Sequence, residues 1–570
     1  MPPLLQPKLL TTLRGYTRAH FLADLTAGLT VGLVALPLAI AFGIASIPDN
    51  VAADAGLSPP AMGLFTAIVA GFLISALGGT RVSIGGPTGA FVVIVYAIAA
   101  EHGYAGLCLA TIMAGLILIA MGALGLGAFI KFIPYPVTTG FTTGIAVIIF
   151  SGQIKDLLGL EMGPLPPDFI SKCKAYVTHI HSIDTSTATV GLLCAAFVFL
   201  WPRFVTRKVP AAILALLGAT LANQFLGLGL ETIGSRFGAI PTTIPLPSGE
   251  TLRRFIPDDW SDIKGLIGPA LTIAMLGGIE SLLCAVVADG MTGSRHRSNA
   301  ELLAQGIANV ASPFFGGIPA TSAIARTATN VQAGAKSPVA GIIHAVTLLV
   351  IVLAAGKYAS YVPMSSLAAV LVVVSWNMAE AHRFVSLLRG PRADAAVLVA
   401  TFLLTVLTDL TIAVEVGMVL AAVLFIKRMS DITSVASLKA DDLEEAAQAP
   451  IEKPKGVEVY DINGPFFFGA AYKLRDTLDT LGDRPRVLIL HMPNVTSIDA
   501  TGLYALEELR ARCARDGMHV VLAGVHAQPL FRLTQTGALD AFGTDNLTGT
   551  LPEALARARA LLREPRPVSA

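Results

Sequence analysis

"RVSIGGPTGAF", residues 81–91, sets two glycines, a proline and a threonine between two strongly apolar stretches. A chain that crosses a membrane keeps its backbone hydrogen bonds inside helices, because lipid offers none. An interruption at that depth is tolerated only where protein or a water-filled cavity surrounds it. A second stretch repeats the pattern: "FFGGIPATSAIARTATN", residues 314–330, again places two glycines and a proline before a short segment of Thr, Ser and Ala. Beyond that second start come Arg326, Thr327, Thr329, Asn330 and Gln332, too polar to face lipid. Paired Gly/Pro-interrupted segments at corresponding places in two halves point to an inverted-repeat transporter. Each half-helix would turn free N–H groups and its positive dipole end towards the midplane, a ready site for an anion.

Composition makes the membrane the solvent. The 570 residues are 54% hydrophobic and 14% charged, with mean hydropathy +0.69, whereas about a quarter of an ordinary soluble domain is charged. The charge is uneven: residues 25–425 are apolar, and 429–570 read as a soluble domain. The basic residues behind the net charge of +1 are dispersed, which argues against a nucleic-acid partner. The five cysteines make no CxxC, so neither a disulfide framework, a metal site nor a cofactor is indicated. Residues 1–24, with Lys8, Arg14 and Arg18, lack the features of a secretory signal and read as a cytosolic amphipathic segment on the membrane surface.

Apolar runs fall near 25–47, 61–78, 106–128, 137–152, 187–202, 209–228, 265–289, 300–314, 338–356, 362–378, 393–409 and 411–427. With the short segments starting at Thr88 and Ser322, this makes fourteen, seven in each half (about 25–228 and 265–428). Arg81, Lys131, the Arg203/Arg207/Lys208 group, Arg295 with Arg297, Lys336 and Arg383/Arg389/Arg392 follow even-numbered segments; Asp49 and Asp54 follow the first. The positive-inside bias then puts both termini in the cytosol.

Glu280, in "LTIAMLGGIESLLCAVVADG", sits mid-span, where a carboxylate costs roughly 2.5–3.5 kcal/mol even on lenient insertion scales. Such groups mark ion or proton paths, so Glu280 is the expected coupling residue; the bland alternative is a structural partner for Arg326. In "VALPLAIAFGIAS" Pro37 kinks the first span and frees a carbonyl, and Phe42 follows one turn on. No nucleophile–base pair or metal cluster indicates an enzyme.

After an acidic, Ala/Pro-containing linker (429–456), short β-rich runs alternate with helical periodicity over 457–570, as in an α/β domain. Here the resemblance is plain. "DLTAGLTVGLVALPLAIAFGIAS", "SIGGPTGAFVVIV", "GGIESLLCAVVADGMTGSRHRSNAELLAQGIAN", "GGIPATSAIARTATN" and the tail motif "SIDATG" resemble the sulfate permease (SulP) family of anion transporters, and the tail resembles its STAS domain. The resemblance implies a polytopic α-helical membrane protein with a seven-plus-seven inverted repeat, core and gate subdomains, elevator movement, a homodimer and a bacterial inner-membrane location. It implies substrate bound at Pro37, Phe42, Thr88, Gly89, Ala90, Ser322, Ala323 and Arg326, with Glu280 for the coupling ion. The chain departs from the family in three places. Leu38 stands where many members have Gln. Sodium-coupled relatives use an Asp with Thr hydroxyls where this chain has Glu280, Cys284 and Ile324, and a hard cation wants oxygen ligands. The tail reads Asp499-Ala500-Thr501-Gly502, without the serine that relatives phosphorylate.

The expected function is secondary transport of a small inorganic oxyanion, sulfate or bicarbonate, with a proton as coupling ion. Alternatives are a sodium-coupled bicarbonate symporter, a dicarboxylate transporter or an anion exchanger of the same fold, then a nucleobase permease or a membrane sensor.

Overall fold

The computed structural model describes residues 5–128, 134–163, 165–166, 168–205, 210–238, 243, 245, 247, 260–408, 410–438, 453–467, 472–474 and 485–564. The chain falls into two compact units, Met1–Val419 and Leu420–Ala570. Lys131, Arg207 and Lys208, used above for orientation, lie outside the described residues, as do half of the loop near 229–264 and residues 439–452 of the linker.

In the first unit every expected apolar segment coincides with a helix. The first half holds α1 (Arg18–Ser46), α2 (Pro59–Leu77), α3 (Gly89–Ala123), α4 (Tyr135–Leu158), α5 (Thr185–Phe204) and α6 (Ala211–Leu226). The second holds α7 (Trp260–Thr292), α8 (Ser298–Ala311), α9 (Ile324–Gln332), α10 (Val339–Ala359), α11 (Met364–Met378), α12 (Arg392–Leu407) and α13 (Leu410–Ile432), the last running into the second unit. α3 carries two segments, broken at Gly103, whose φ of 68° and ψ of −177° are open to glycine and costly for any other residue. Among the described residues eight helices are long and apolar enough to cross a membrane; α8 and α9 are not, at 14 and 9 residues.

Packing sorts these helices the same way in both halves. α1, α2 and α3 pack against α7, α8, α9 and α10; α4, α5 and α6 pack against α11 and α12. Small residues set the closest crossings, since helix association in lipid depends on backbone approach. A Cβ on Gly63 would stand 2.0 Å from the Ala39 carbonyl oxygen, and one on Gly43 2.2 Å from that of Pro59, so α1 and α2 touch backbone to backbone. Gly115 of α3 and Gly306 of α8 meet in the same way, each Cβ position within 2.7 Å of the other's carbonyl oxygen. Gly28 does the same for α1 on α10, where a Cβ would stand 2.5 Å from the Ala340 carbonyl oxygen, and Gly32 makes room for the Thr347 side chain.

Between α2 and α3, and again between α8 and α9, the interrupted stretches form two-residue strands, β1 (Gly85–Gly86) and β2 (Thr321–Ser322). They pair antiparallel, Gly85 opposite Ser322 and Gly86 opposite Thr321.

The N-terminal segment differs from the surface helix expected. Its described helical part is a single turn, Lys8–Thr12, whose Lys8 N–H donates to the Gly78 carbonyl at 2.9 Å, while Arg297 donates to the Gln6 carbonyl at 2.8 Å. Residues 18–24 belong to α1, and the fully buried Asp24 accepts from Tyr16 at 2.8 Å and from the Lys336 N–H at 2.6 Å.

The second unit contains a five-stranded sheet. β3 (Ser434–Ser437) runs antiparallel to β4 (Val457–Asn463), followed in parallel by β5 (Val487–Asn494), β6 (His519–Ala523) and β7 (Leu547–Thr548). Strand alternation feeds two layers: Val459, Ile489 and Val521 pack on α15 (Leu551–Arg563), and Tyr460, Leu490 and Leu522 face the layer holding Leu506 of α14 (Ala500–Arg515). Asp499 caps α14, accepting from Gly502 N–H at 2.7 Å. Part of the expected linker is therefore structured: 429–432 finish α13, and 434–437 are β3. That strand is short and mostly exposed, so it lacks the buried alternation by which a strand is read.

Candidate functional site

The ribbon of β1 and β2 aims two helix starts at one region. α3 begins at Gly89 with Thr88 as its N-cap, and α9 begins at Ile324 with Ala323 as its N-cap. Neither N-cap side chain covers its helix's first N–H groups, which leaves donors and a positive dipole end at each start. The second helix starts two residues after the expected Ser322, because Thr321 and Ser322 are used by the ribbon.

The side chains divide into those at the helix starts and those behind them. Thr88, buried, donates its hydroxyl to Glu280 at 3.1 Å. Glu280, on α7, keeps part of its surface open. Phe42 is buried, and its ring lies 3.5 Å from where a Cβ on Gly89 would stand; Ile149 of α4 and Met378 of α11 approach the same point at 3.2 Å. Gly89 is thus the residue that fits where helices of both packing groups meet. Pro37 and Ala90 are buried nearby in chain order, on α1 and α3. Ala323 is buried and gives its N–H to the Ile84 carbonyl at 2.8 Å, whereas Ile324, next along, is 39% exposed.

Arg326 and Ser322 both bond to the first interrupted stretch. The Arg326 guanidinium is buried, donates through Nη2 to the Pro87 carbonyl at 2.7 Å, and lies 5.9 Å from the Phe42 ring centroid. Glu280 therefore takes Thr88 as its hydrogen-bond partner, and Arg326 braces the turn that precedes Thr88. Two more α9 side chains hold the first stretch: Thr327 accepts from Ile84 N–H at 3.0 Å, and Asn330 donates to the Val82 carbonyl at 2.9 Å. Ser322, fully buried, accepts from Ser83 at 2.8 Å and from Gln305 at 2.7 Å, and donates to Glu301 at 3.1 Å.

Sequence reasoning missed the α8 residues Glu301, Gln305 and Asn309. All three are fully buried on one helix face, and Asn309 grips Ala320 through both its N–H and its carbonyl at 2.8 Å each. The signal was present: three polar residues at i, i+4 and i+8 of an apolar segment share a face. His344 of α10, also fully buried, was likewise not singled out.

No group of three or more His, Cys, Asp or Glu suited to a metal ion occurs among the described residues. The Cys284 thiol donates to Thr327 at 3.2 Å. A separate cleft lined by Lys155, Asp156, Glu231 and Arg236 stands apart from both helix starts. Its arginine is paired with Asp156 at 3.0 Å and Glu231 at 3.3 Å.

Two half-helices meeting across a short ribbon, inside two groups of helices repeated in each half, define a helical membrane transporter. The family model described as "Sulfate permease family" matches residues 21–401, and that of the STAS domain matches 448–554. The chain belongs to the sulfate permease family. YvdB of Bacillus subtilis, a protein assigned to sulfate transport, is 41% identical over 93% of this chain and 96% of its own. The bicarbonate transporter BicA of a Picosynechococcus species is 29% identical over 94% of each. Among solved structures, that of SLC26A9 superposes with a TM-score of 0.82 at 19% identity, covering 98% of this chain and 93% of its own, a likeness of fold. The transmembrane domain of a cyanobacterial BicA superposes at 0.60 with 29% identity, over 71% of this chain and 98% of that one.

Proposed function

We propose that this protein is a secondary transporter of a small inorganic oxyanion, sulfate or bicarbonate, driven by a proton carried on Glu280. One observation carries the reading: two helix starts without side-chain caps lie beside a hydroxyl–carboxylate pair, Thr88 and Glu280. Free N–H groups and dipole ends attract an anion without a resident cation. A carboxylate with a single hydroxyl donor can gain a proton and then donate in turn. Thr88 would hold Glu280 next to the anion, so the two charges travel together. The group of α1–α3 and α7–α10 would carry them past the other helices in an elevator movement, in a homodimer of the bacterial inner membrane with both termini cytosolic. Named relatives support the substrate class: besides BicA, a protein of Bos taurus named sodium-independent sulfate anion transporter is 26% identical over 91% of this chain and 86% of its own. Such a likeness also makes an enzyme role unlikely.

The test is uptake into liposomes of labelled sulfate and bicarbonate, with fumarate and uracil as controls. Uptake of an oxyanion is expected to rise as external pH falls and to be unchanged when sodium is replaced by choline. Glu280→Gln, which keeps the shape and hydrogen bonding but has no proton to release, should abolish pH-driven accumulation and retain exchange. Sodium-dependent, pH-insensitive uptake by the wild type would favour the sodium-coupled symport reading and overturn the proton assignment.

A further inference from the structure

Glu301 lies outside the helix starts yet bonds both the lead into the first interrupted stretch and the second stretch itself. Its carboxylate is fully buried. One oxygen, Oε2, accepts from the Gly79 N–H at 2.8 Å, the Thr80 N–H at 3.1 Å and the Thr80 hydroxyl at 3.0 Å. The other, Oε1, accepts the Ser322 hydroxyl at 3.1 Å. Gly79 and Thr80 lead into β1, and Ser322 is the end of β2, two residues before α9 begins. We propose that Glu301 is a positioning residue for the anion site: it fixes the start of α9 against the first stretch through Ser322. The proposal rests on the anion-transport reading above.

The chemistry at Ser322 calls for an acceptor. Its hydroxyl oxygen already accepts from Ser83 and from the Gln305 amide, so its own proton needs an acceptor. An ionised carboxylate accepts at both oxygens, whereas an amide accepts at one and donates at the other. In Glu301→Gln the three donors of Gly79 and Thr80 select the amide oxygen, and the NH2 group falls on Ser322. Ser322 would then face three donors, and its proton gains an acceptor only if the Gln305 amide turns its Oε1 inward, which strands the Gln305 NH2 group; either way a buried polar group is left unsatisfied. The disturbance falls on the α9 side and spares the Gly79–Thr80 contact. Exchanging the two neighbours, Glu301→Gln with Gln305→Glu, restores the count: residue 301 donates to Ser322 and residue 305 accepts from it. Gln305 lies one turn from Glu301 on the same face, and its Oε1 has no partner among the described residues.

Equilibrium binding of labelled sulfate and bicarbonate to the full chain in detergent, beside its thermal midpoint, tests this. Glu301→Gln is expected to raise the anion Kd at least tenfold in monodisperse protein, and the exchanged pair to return it to within threefold of wild type. Ser322→Ala should raise Kd comparably, and adding Glu301→Gln to it should change Kd less than threefold further. Wild-type affinity in Glu301→Gln or in Ser322→Ala overturns the proposal, as does an exchanged pair that binds no better than Glu301→Gln. If Glu301→Gln yields no folded protein, the exchanged pair and Ser322→Ala decide by the same criteria. A wild type that binds neither anion removes the transport reading instead. The Glu301–Ser322 cycle then reads out in thermal midpoint, where additive shifts would overturn the contact itself.

Discussion

Thr88 shows how much one hydroxyl does here. It ends the first stretch, caps α3 by backbone position alone, and bonds Glu280 with its side chain. Thr88→Val keeps the volume and removes the hydroxyl, leaving Glu280 without its donor. The expected result is a Kd for the transported anion about tenfold higher, about 1.4 kcal/mol, with the protein still monodisperse. Equilibrium binding in detergent checks it, and unchanged affinity would remove Thr88 from the site. Thr88 and Glu280 were legible in sequence for a physical reason. A mid-span carboxylate and a Gly/Pro break are both costly in lipid, and costly features need a use. The orientation of Ser322 and Arg326 was not legible. In a two-residue strand, the partners of Thr321 and Ser322 depend on a register set by Gly85 and Gly86, more than two hundred residues earlier. A buried arginine reads as an anion ligand; its Nη2 bond to the Pro87 carbonyl could not be read from sequence, and its Nη1 has no partner among the described residues.

At the scale of elements, the ribbon is the unit that sequence patterns describe least well. Two residues on each side cannot show a period, so the stretches read as helix starts with turns before them. Glycine is the ribbon's requirement. Gly86 has φ +147°, and a Cβ there would stand 2.6 Å from Arg326 Nη1 and 3.3 Å from the Ala67 Cα. Gly86→Ala meets both a disfavoured backbone conformation and the side chain that braces Pro87. A loss of about 1–3 kcal/mol is expected for such a backbone position, together with loss of uptake. Thermal unfolding in detergent measures the first and liposome flux the second; a variant with wild-type values in both would mean the ribbon is dispensable. The long helices, by contrast, were readable because length and apolarity act over many residues at once. Even the break at Gly103 separated two expected segments, since the glycine sits in a short polar gap, "EHGY".

For the whole molecule, the residues named for the proposed anion site, from Pro37 to Met378, lie within the first compact unit. Truncation after Ile432, the last residue of α13, should therefore bind the anion with a Kd within threefold of the full chain, measured in detergent. A folded truncated protein with no binding would give the tail a direct part in the site. The cross-bracing of the two stretches bears on how the protein is made. Pro87, Ile84 and Val82 receive their partners from Arg326, Thr327 and Asn330, at separations of 239, 243 and 248 residues. Contacts so distant along the chain close late. During synthesis the first stretch must wait, with backbone groups unmet at a depth where lipid supplies no substitute, until α9 has left the ribosome. The anion site would be among the last parts of the membrane domain to mature, and the nascent first half is the stage at which quality control has most to recognise.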